Sequence, residues 1–213
     1  LNGVDRAQDE TLCRGDAAIM LSNMLRGEML VPIRFGGENS RYEKNGTTPL
    51  SYYHHIREVR GQLTNLGARS IGDALVLDED QAIIGNETFA QTFSALGALM
   101  GQNIIAYVKT DPNRGNGTIL YAEPQKDSVS KEYTAAEFRG IAEQKLVFWK
   151  DGAEVTYSYH NNTRVIYNGR YETRMGLLTE LTLNCGRMRL VSLENEKRVD
   201  IIFVEEYAVY QMR

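Results

Sequence analysis

Three histidines, two cysteines and a dispersed set of carboxylates are the residues of this chain that could do chemistry. His54 and His55 follow Tyr52-Tyr53, and imidazole both binds metals and titrates near neutral pH. Adjacent residues on an extended strand point to opposite faces, so the two rings would not converge on one ion. His160 stands alone in an Asn-rich turn, and no His-Glu-x-x-His spacing occurs, so no metal site is expected. Cys13 and Cys185 are too few and too far apart for a disulfide framework or a zinc knuckle. Neither sits beside a histidine, and there is no Gly-x-Ser-x-Gly elbow to present an activated serine. The loop Asp111-x-Asn113-x-Gly115-x-Gly117 alternates oxygen ligands as calcium loops do, but it lacks a side-chain oxygen at the fifth position and a closing bidentate glutamate. A plain hairpin turn accounts for it better. Asp78-Glu79-Asp80 and Glu194-Asn195-Glu196-Lys197 read as solvated turns. A pair of acids for glycoside hydrolysis could be drawn from 28 carboxylates in many ways, so that pattern has no specificity. No Walker or Rossmann glycine fingerprint is present. The expectation is a chain with no catalytic residues, no metal and no cofactor.

One aromatic cluster could bind a ligand. Trp149 with Tyr157 and Tyr159 across a hairpin could form a sugar-stacking platform on a β face. The same alternation is what a half-buried strand shows anyway, and core packing or cross-strand pairing is the plainer account.

The elements that would position these residues fall into two textures. Composition is ordinary for a globular protein, with 213 residues, 42% hydrophobic and 24% charged. The most apolar runs, such as Ile201 to Val204, last about four residues, far short of a membrane span of about 20. The expectation is a soluble chain. The net charge of −4 is spread evenly, without the basic stripe that nucleic acid requires. Ala17, Ala18, Met20, Leu21, Met24 and Leu25 recur at spacings of three and four, which predicts a helix over Arg14 to Arg26, with Thr11 as a cap, Asp16 in the first turn and Gly27 as a stop. Phe35 to Ser51 is polar, aperiodic and rich in turn formers, and predicts a linker. Beyond it come short Val-, Ile-, Tyr- and Phe-rich runs separated by Gly, Asn and Asp. These predict strands at Ala74 to Leu77, Asn103 to Lys109, Thr118 to Ala122, Leu146 to Trp149, Thr156 to Tyr159, Arg187 to Leu193 and Asp200 to Glu205. Leu75-x-Leu77 before Ile84-x-Asn86-x-x-Phe89 is matched by Tyr157-x-Tyr159 before Ile166-x-Asn168-x-x-Tyr171, which predicts two copies of one β unit. A segment with Phe93, Leu96 and Leu99, or Met175, Leu178 and Leu181, would follow in each as a helical turn or two.

Leu12-Cys13-Arg14-Gly15-Asp16-Ala17-Ala18, leading into a Met- and Leu-rich helix, resembles the C-terminal part of one S-layer homology motif. The β segments that follow resemble those found after such motifs in cell-surface proteins of Clostridium-like Gram-positive bacteria. The stretches that carry this are Gly61 to Leu66, Leu99-Met100-Gly101 through Tyr107, Ile166-Tyr167-Asn168-Gly169 and Ile201 to Tyr207. The resemblance implies a secreted protein, associated with the cell wall or S-layer, whose motifs dock onto secondary cell-wall polysaccharide. It also implies that Arg14 binds acidic sugar, with Gly15 allowing close approach and Asp16 completing the motif. A guanidinium fork suits a carboxylate.

The whole reads as a mainly β chain with short helices (α+β): an N-terminal helical remnant over 1–34, a linker over 35–56, and two repeated small β modules over 57–130 and 131–213. Beginning at Leu1-Asn2-Gly3 without an initiator Met, it reads as a piece of a longer protein. The expected function is a noncatalytic structural or spacer part of a wall-associated surface protein. A carbohydrate-binding module recognising wall polysaccharide is the first alternative and a wall-acting hydrolase the second. Exposed strand edges would also allow self-assembly.

Overall fold

A computed structural model describes residues 3–4, 11–34, 41–72, 77–111, 114–172 and 181–207. The described chain is mainly β with short helical segments. Contacts divide it into two units, the first holding Leu1–Arg57 with Lys109–Gly115 and the second Glu58–Val108 with Asn116–Arg213.

In the first unit α1 spans Arg14–Arg26. Its N-cap is Cys13 rather than Thr11, because the Asp16 carboxylate reaches back to accept the Cys13 N–H at 2.9 Å, the acid half of a capping box. Gly27 ends the helix with its N–H donating to the Asn23 carbonyl. The following segment is more ordered than a linker. Strands β1 (Leu30–Arg34) and β2 (Arg41–Lys44) pair antiparallel, and α2 (Pro49–His54) follows. Pro49 at the helix start, the reciprocal Thr48–Ser51 capping box and His55 in a left-handed conformation at φ 54° define α2. Composition missed it because a six-residue helix is too short to show a period.

Two sheets make up the second unit, apart from strand residues 56–57, 109–111 and 114–115, which fall in the first unit. In the first sheet, β3 (Ile56–Leu66), β4 (Arg69–Ser70), β5 (Gln81–Ile84), β6 (Glu87–Gln91), β7 (Asn103–Asp111) and β8 (Arg114–Pro124) run in the order β4-β3-β5-β6-β8-β7. A further pairing of β3 with β7 closes β3, β5, β6, β8 and β7 into a ring. Closure removes the exposed edges of those strands. A 3-10 helix, Ser94–Leu99, buries Leu96, as the spacing of Phe93, Leu96 and Leu99 predicts. Along β7, Ile104, Ala106 and Val108 are buried and alternate with outward residues, the period of two that a pleated strand imposes.

The second sheet takes β9 (Val129–Thr134), β10 (Phe138–Ala142), β11 (Lys145–Lys150), β12 (Ala153–Tyr167), β14 (Gly186–Ser192) and β15 (Arg198–Glu206) in the order β10-β11-β12-β15-β14-β9, with β13 (Arg170–Glu172) paired to β12. Strand β15 lies between β12, to which it is parallel, and β14, to which it is antiparallel. Both of its faces are covered, which explains the unbroken run Ile201-Ile202-Phe203-Val204. Ile201 and Phe203 pack into the core shared with the first sheet, with Ile166 and Val191, while Ile202 and Val204 pack into a second core with Val165, Leu190 and Phe148. Each fully buried Ile or Val contributes roughly 1.5–3 kcal/mol. Strand β15 therefore ties the two cores together.

This sharing bears on the predicted repeat. Leu75 lies outside the described residues, Leu77 belongs to no strand, and Tyr157 and Tyr159 both lie in β12. The hairpins are also offset: Ile84 and Glu87 flank the first turn, whereas Tyr167, not Ile166, pairs with Arg170 across the second. A shift of one residue exchanges the faces of a strand, so equal spacing in sequence does not give equal positions here. Ile84 and Ile166 in fact pack into the same core. Each half of the unit holds one parallel pair, but it is β6 with β8 in one and β12 with β15 in the other. Of the second expected helical turn, Met175 and Leu178 lie outside the described residues.

Candidate functional site

The inner face of the second sheet changes character along its strands. Antiparallel partners across β14 and β15 are Val191 with Ile201, Arg189 with Phe203, and Arg187 with Glu205. Side chains two residues apart share a face, so this ladder runs from apolar to aromatic-cationic to charged. Strand β9 extends it, placing Ser130 beside Val191 and Glu132 beside Arg189. The first sheet covers the apolar end. Where that cover stops, a cleft of about 880 Å³ opens, lined on its other side by Arg69, Ser70, Gly97, Ala98 and Met100. Small-molecule sites commonly occupy roughly 300–1,000 Å³.

Two glycines shape this region. A Cβ on Gly186 would lie 1.9 Å from the Glu205 carbonyl oxygen, at a φ of +140°, so no larger residue fits where β14 begins. Gly101, at φ +87°, lets the Phe203 ring approach to within 3.2 Å of where a Cβ would stand.

The charges are arranged in two groups. Arg187 sits between two acids, its Nε donating to Glu205 at 2.7 Å and its Nη1 to Glu132 at 3.3 Å. The Arg187 bond is the main reason that the Glu205 carboxyl lies below the usual range, and the same bond raises Arg187. The Tyr207 hydroxyl also donates to Glu205, at 3.1 Å. Glu206 accepts from the Tyr167 hydroxyl, and its N–H donates to the Asn168 side-chain oxygen at 2.9 Å. Arg189 is held differently. Its Nη1 donates to the carbonyls of Met100 at 3.0 Å and Ala98 at 3.3 Å, and its guanidinium lies 4.0 Å from the centroid of the Phe203 ring. Burial pushes it down to about 10, with the neighbouring Arg187 and Arg69 acting in the same direction, and it stays charged at neutral pH. Glu132, Arg187, Arg189, Phe203 and Glu205 also enclose a niche of about 30 Å³.

The residues singled out from sequence lie elsewhere. Arg14 and Gly15 are exposed on the first turn of α1, beside the half-buried Asp16. Trp149 and the two tyrosines do not make one platform. In the β11–β12 register Trp149 opposes Glu154 and Leu146 opposes Tyr157, so Trp149 faces outward, 47% exposed, while Tyr157 points into the second core and Tyr159 packs against it. The Tyr157 hydroxyl meets that of Tyr133 at 2.6 Å. Histidines 54 and 55 are exposed at the end of α2. His160 stands in β12 rather than in a free turn, in a bulge where residues 160–163 fall outside the backbone register with β15. Its Nδ1 accepts from the Asn162 N–H at 3.1 Å, which leaves Nε2 to donate to Asp200 at 3.3 Å. No group of three His, Cys, Asp or Glu able to hold a metal occurs among the described residues. Of the suspected calcium loop, residues 112–113 lie outside the description.

Two strands of the cleft, β14 and β15, follow from the sequence pattern, whereas β4 and β9 and the lining residues themselves do not. The alternation Arg187-x-Arg189-x-Val191 opposite Ile201-x-Phe203-x-Glu205 was the available signal, since a strand face that turns from apolar to charged marks the edge of a core. No helix among the described residues is long and apolar enough to cross a membrane. The chain matches no known protein family, no curated protein and no solved structure.

Proposed function

We propose that this chain is a noncatalytic structural part of a secreted surface protein associated with the cell wall or S-layer, in which the α1 segment resembles an S-layer homology motif and the β unit serves as a rigid spacer. The observation that carries the noncatalytic reading is that the acids along the cleft are taken up in internal bonds: Arg187 donates to Glu205 at 2.7 Å and to Glu132 at 3.3 Å, and the Tyr167 hydroxyl donates to Glu206. A glycoside hydrolase needs two carboxyl groups free to reach the glycosidic bond. The sharing of β15 between two cores supports the spacer role, because a unit tied in this way resists opening in parts. Wall association rests on the resemblance at Leu12 to Ala18, with Arg14 exposed and free to approach a ligand.

Incubation with purified Gram-positive sacculi tests the noncatalytic claim. No release of soluble sugar or peptide above the buffer control is expected. Release that is lost in Glu205→Gln would replace this reading with a hydrolase.

A second reading, a carbohydrate-binding module, has a specific observation in its favour. The cleft joins a fixed guanidinium, an exposed aromatic ring and hydrogen-bonding side chains on one face.

A further inference from the structure

We propose that the cleft of the β unit binds an acidic saccharide of the uronate type, with the sugar carboxylate received by the guanidinium groups of Arg69 and Arg189. The proposal deepens the binding-module reading and rests on it.

Arg189 is prepared for such a contact. A guanidinium carries five N–H donors in a rigid fork. The two carbonyl contacts use only Nη1, and the guanidinium is held 4.0 Å from the centroid of the Phe203 ring. Among the described residues, no acceptor meets its Nε or Nη2. The acids nearest to it, Glu132 and Glu205, are committed to Arg187. Arg69, on β4, lines the same cleft, has no ion-pair partner among the described residues, and brings its Nη1 within 3.9 Å of the Cβ position of Gly97. Two cations without a bonded counter-ion, one from each side of the same cleft, favour an incoming anion, and a carboxylate fits the guanidinium fork in a bidentate manner.

The rest of the lining selects the kind of anion. Glu132 and Glu205 also line the cleft and accept hydrogen bonds, both from Arg187. A bare inorganic anion would be repelled by them, whereas a sugar acid presents hydroxyl donors to them. Asn168 has its amide N–H groups to offer, since only its oxygen is used by Glu206, and Ser130 adds a hydroxyl. Tyr207, 51% exposed, supplies an aromatic surface for the apolar face of a pyranose ring. One carboxylate, several hydroxyls and one apolar face together describe a uronic acid.

The test is calorimetric titration of the full chain at pH 7 and low salt with trigalacturonate, its neutral methyl ester, chitotriose and inorganic phosphate. Saturable binding of trigalacturonate is expected, with the ester and phosphate at least tenfold weaker, and a loss of tenfold or more in Arg69→Gln. Because Arg69 is exposed, that variant reads binding rather than folding. Arg189→Lys, which keeps the charge and removes the fork, should weaken binding similarly. Absence of saturable binding by trigalacturonate, equal affinity for the ester, or an unchanged affinity in Arg69→Gln would overturn the proposal. Equal displacement by phosphate would mean a general anion site and overturn it as well. Binding of chitotriose without trigalacturonate would keep the carbohydrate-module reading and discard this ligand.

Discussion

The Arg189 guanidinium lies over the ring of Phe203, its direct partner in the β14–β15 register, at 4.0 Å from the ring centroid. Phe203 thus covers the last apolar step of the sheet face and orients the first cationic one. A cation over an aromatic face contributes about 0.5–2 kcal/mol depending on burial. Phe203→Leu should lower stability by about 2 kcal/mol, combining that loss with the ring's packing against Gly101. Urea denaturation measures it, and a change below 0.5 kcal/mol would show that the stacking carries no energy.

The Arg187–Glu205 pair sets a pH dependence. The folded Glu205 carboxyl titrates below its unfolded value, so its contribution is full above the unfolded value and is lost as pH falls through the folded one. Below about pH 5 the unfolded chain takes up the proton first. Both side chains are partly exposed, so the effect is modest, on the order of 1 kcal/mol. Glu205→Gln should flatten the fall in stability between about pH 5 and pH 3, as read from denaturation midpoints at each pH. An unchanged slope would remove this pair from the acid-side balance.

The hydroxyls of Tyr133 and Tyr157 bond to each other at 2.6 Å inside the second core, where Tyr133 also stacks on Phe148. Burial, and then the Tyr157 bond, raise the Tyr133 phenol above its usual range. Its contribution is therefore present below about pH 10 and lost as pH rises further. Tyr157→Phe leaves one buried hydroxyl unpaired at a cost of about 1–3 kcal/mol. The double variant Tyr133→Phe/Tyr157→Phe should lose less than the sum of the two single changes. Strict additivity would mean that the hydroxyls do not depend on each other.

Much of the fold was legible in the sequence. The helix over Arg14 to Arg26 follows from apolar spacing, and the strands at Arg187 to Leu193 and Asp200 to Glu205 follow from β-branched runs. What stayed hidden depends on partners distant in sequence. The length of β12 was missed because the bulge at 160–163 looks like an Asn-rich turn, although the Thr163 hydroxyl bridges it by donating to the Val199 carbonyl at 2.8 Å and the pairing resumes at Arg164. The hairpins after Ile84 and Ile166 differ by one residue in position, because spacing fixes order but not register. Strand pairing sets Trp149 and Tyr157 on opposite faces, which residue type alone does not reveal. The cleft was the least visible, since Arg69, Arg189 and Phe203 come from three separate strands, and each alone reads as an ordinary surface or core residue.

The central claim, a noncatalytic wall-associated chain, is tested most directly by co-sedimentation of the purified protein with Gram-positive sacculi before and after removal of the secondary polysaccharide, with Arg14→Ala alongside. The account predicts that the protein pellets with intact sacculi, remains in the supernatant once the polysaccharide is stripped, and pellets at least severalfold less as Arg14→Ala. Equal recovery in the supernatant with intact and stripped sacculi would contradict it.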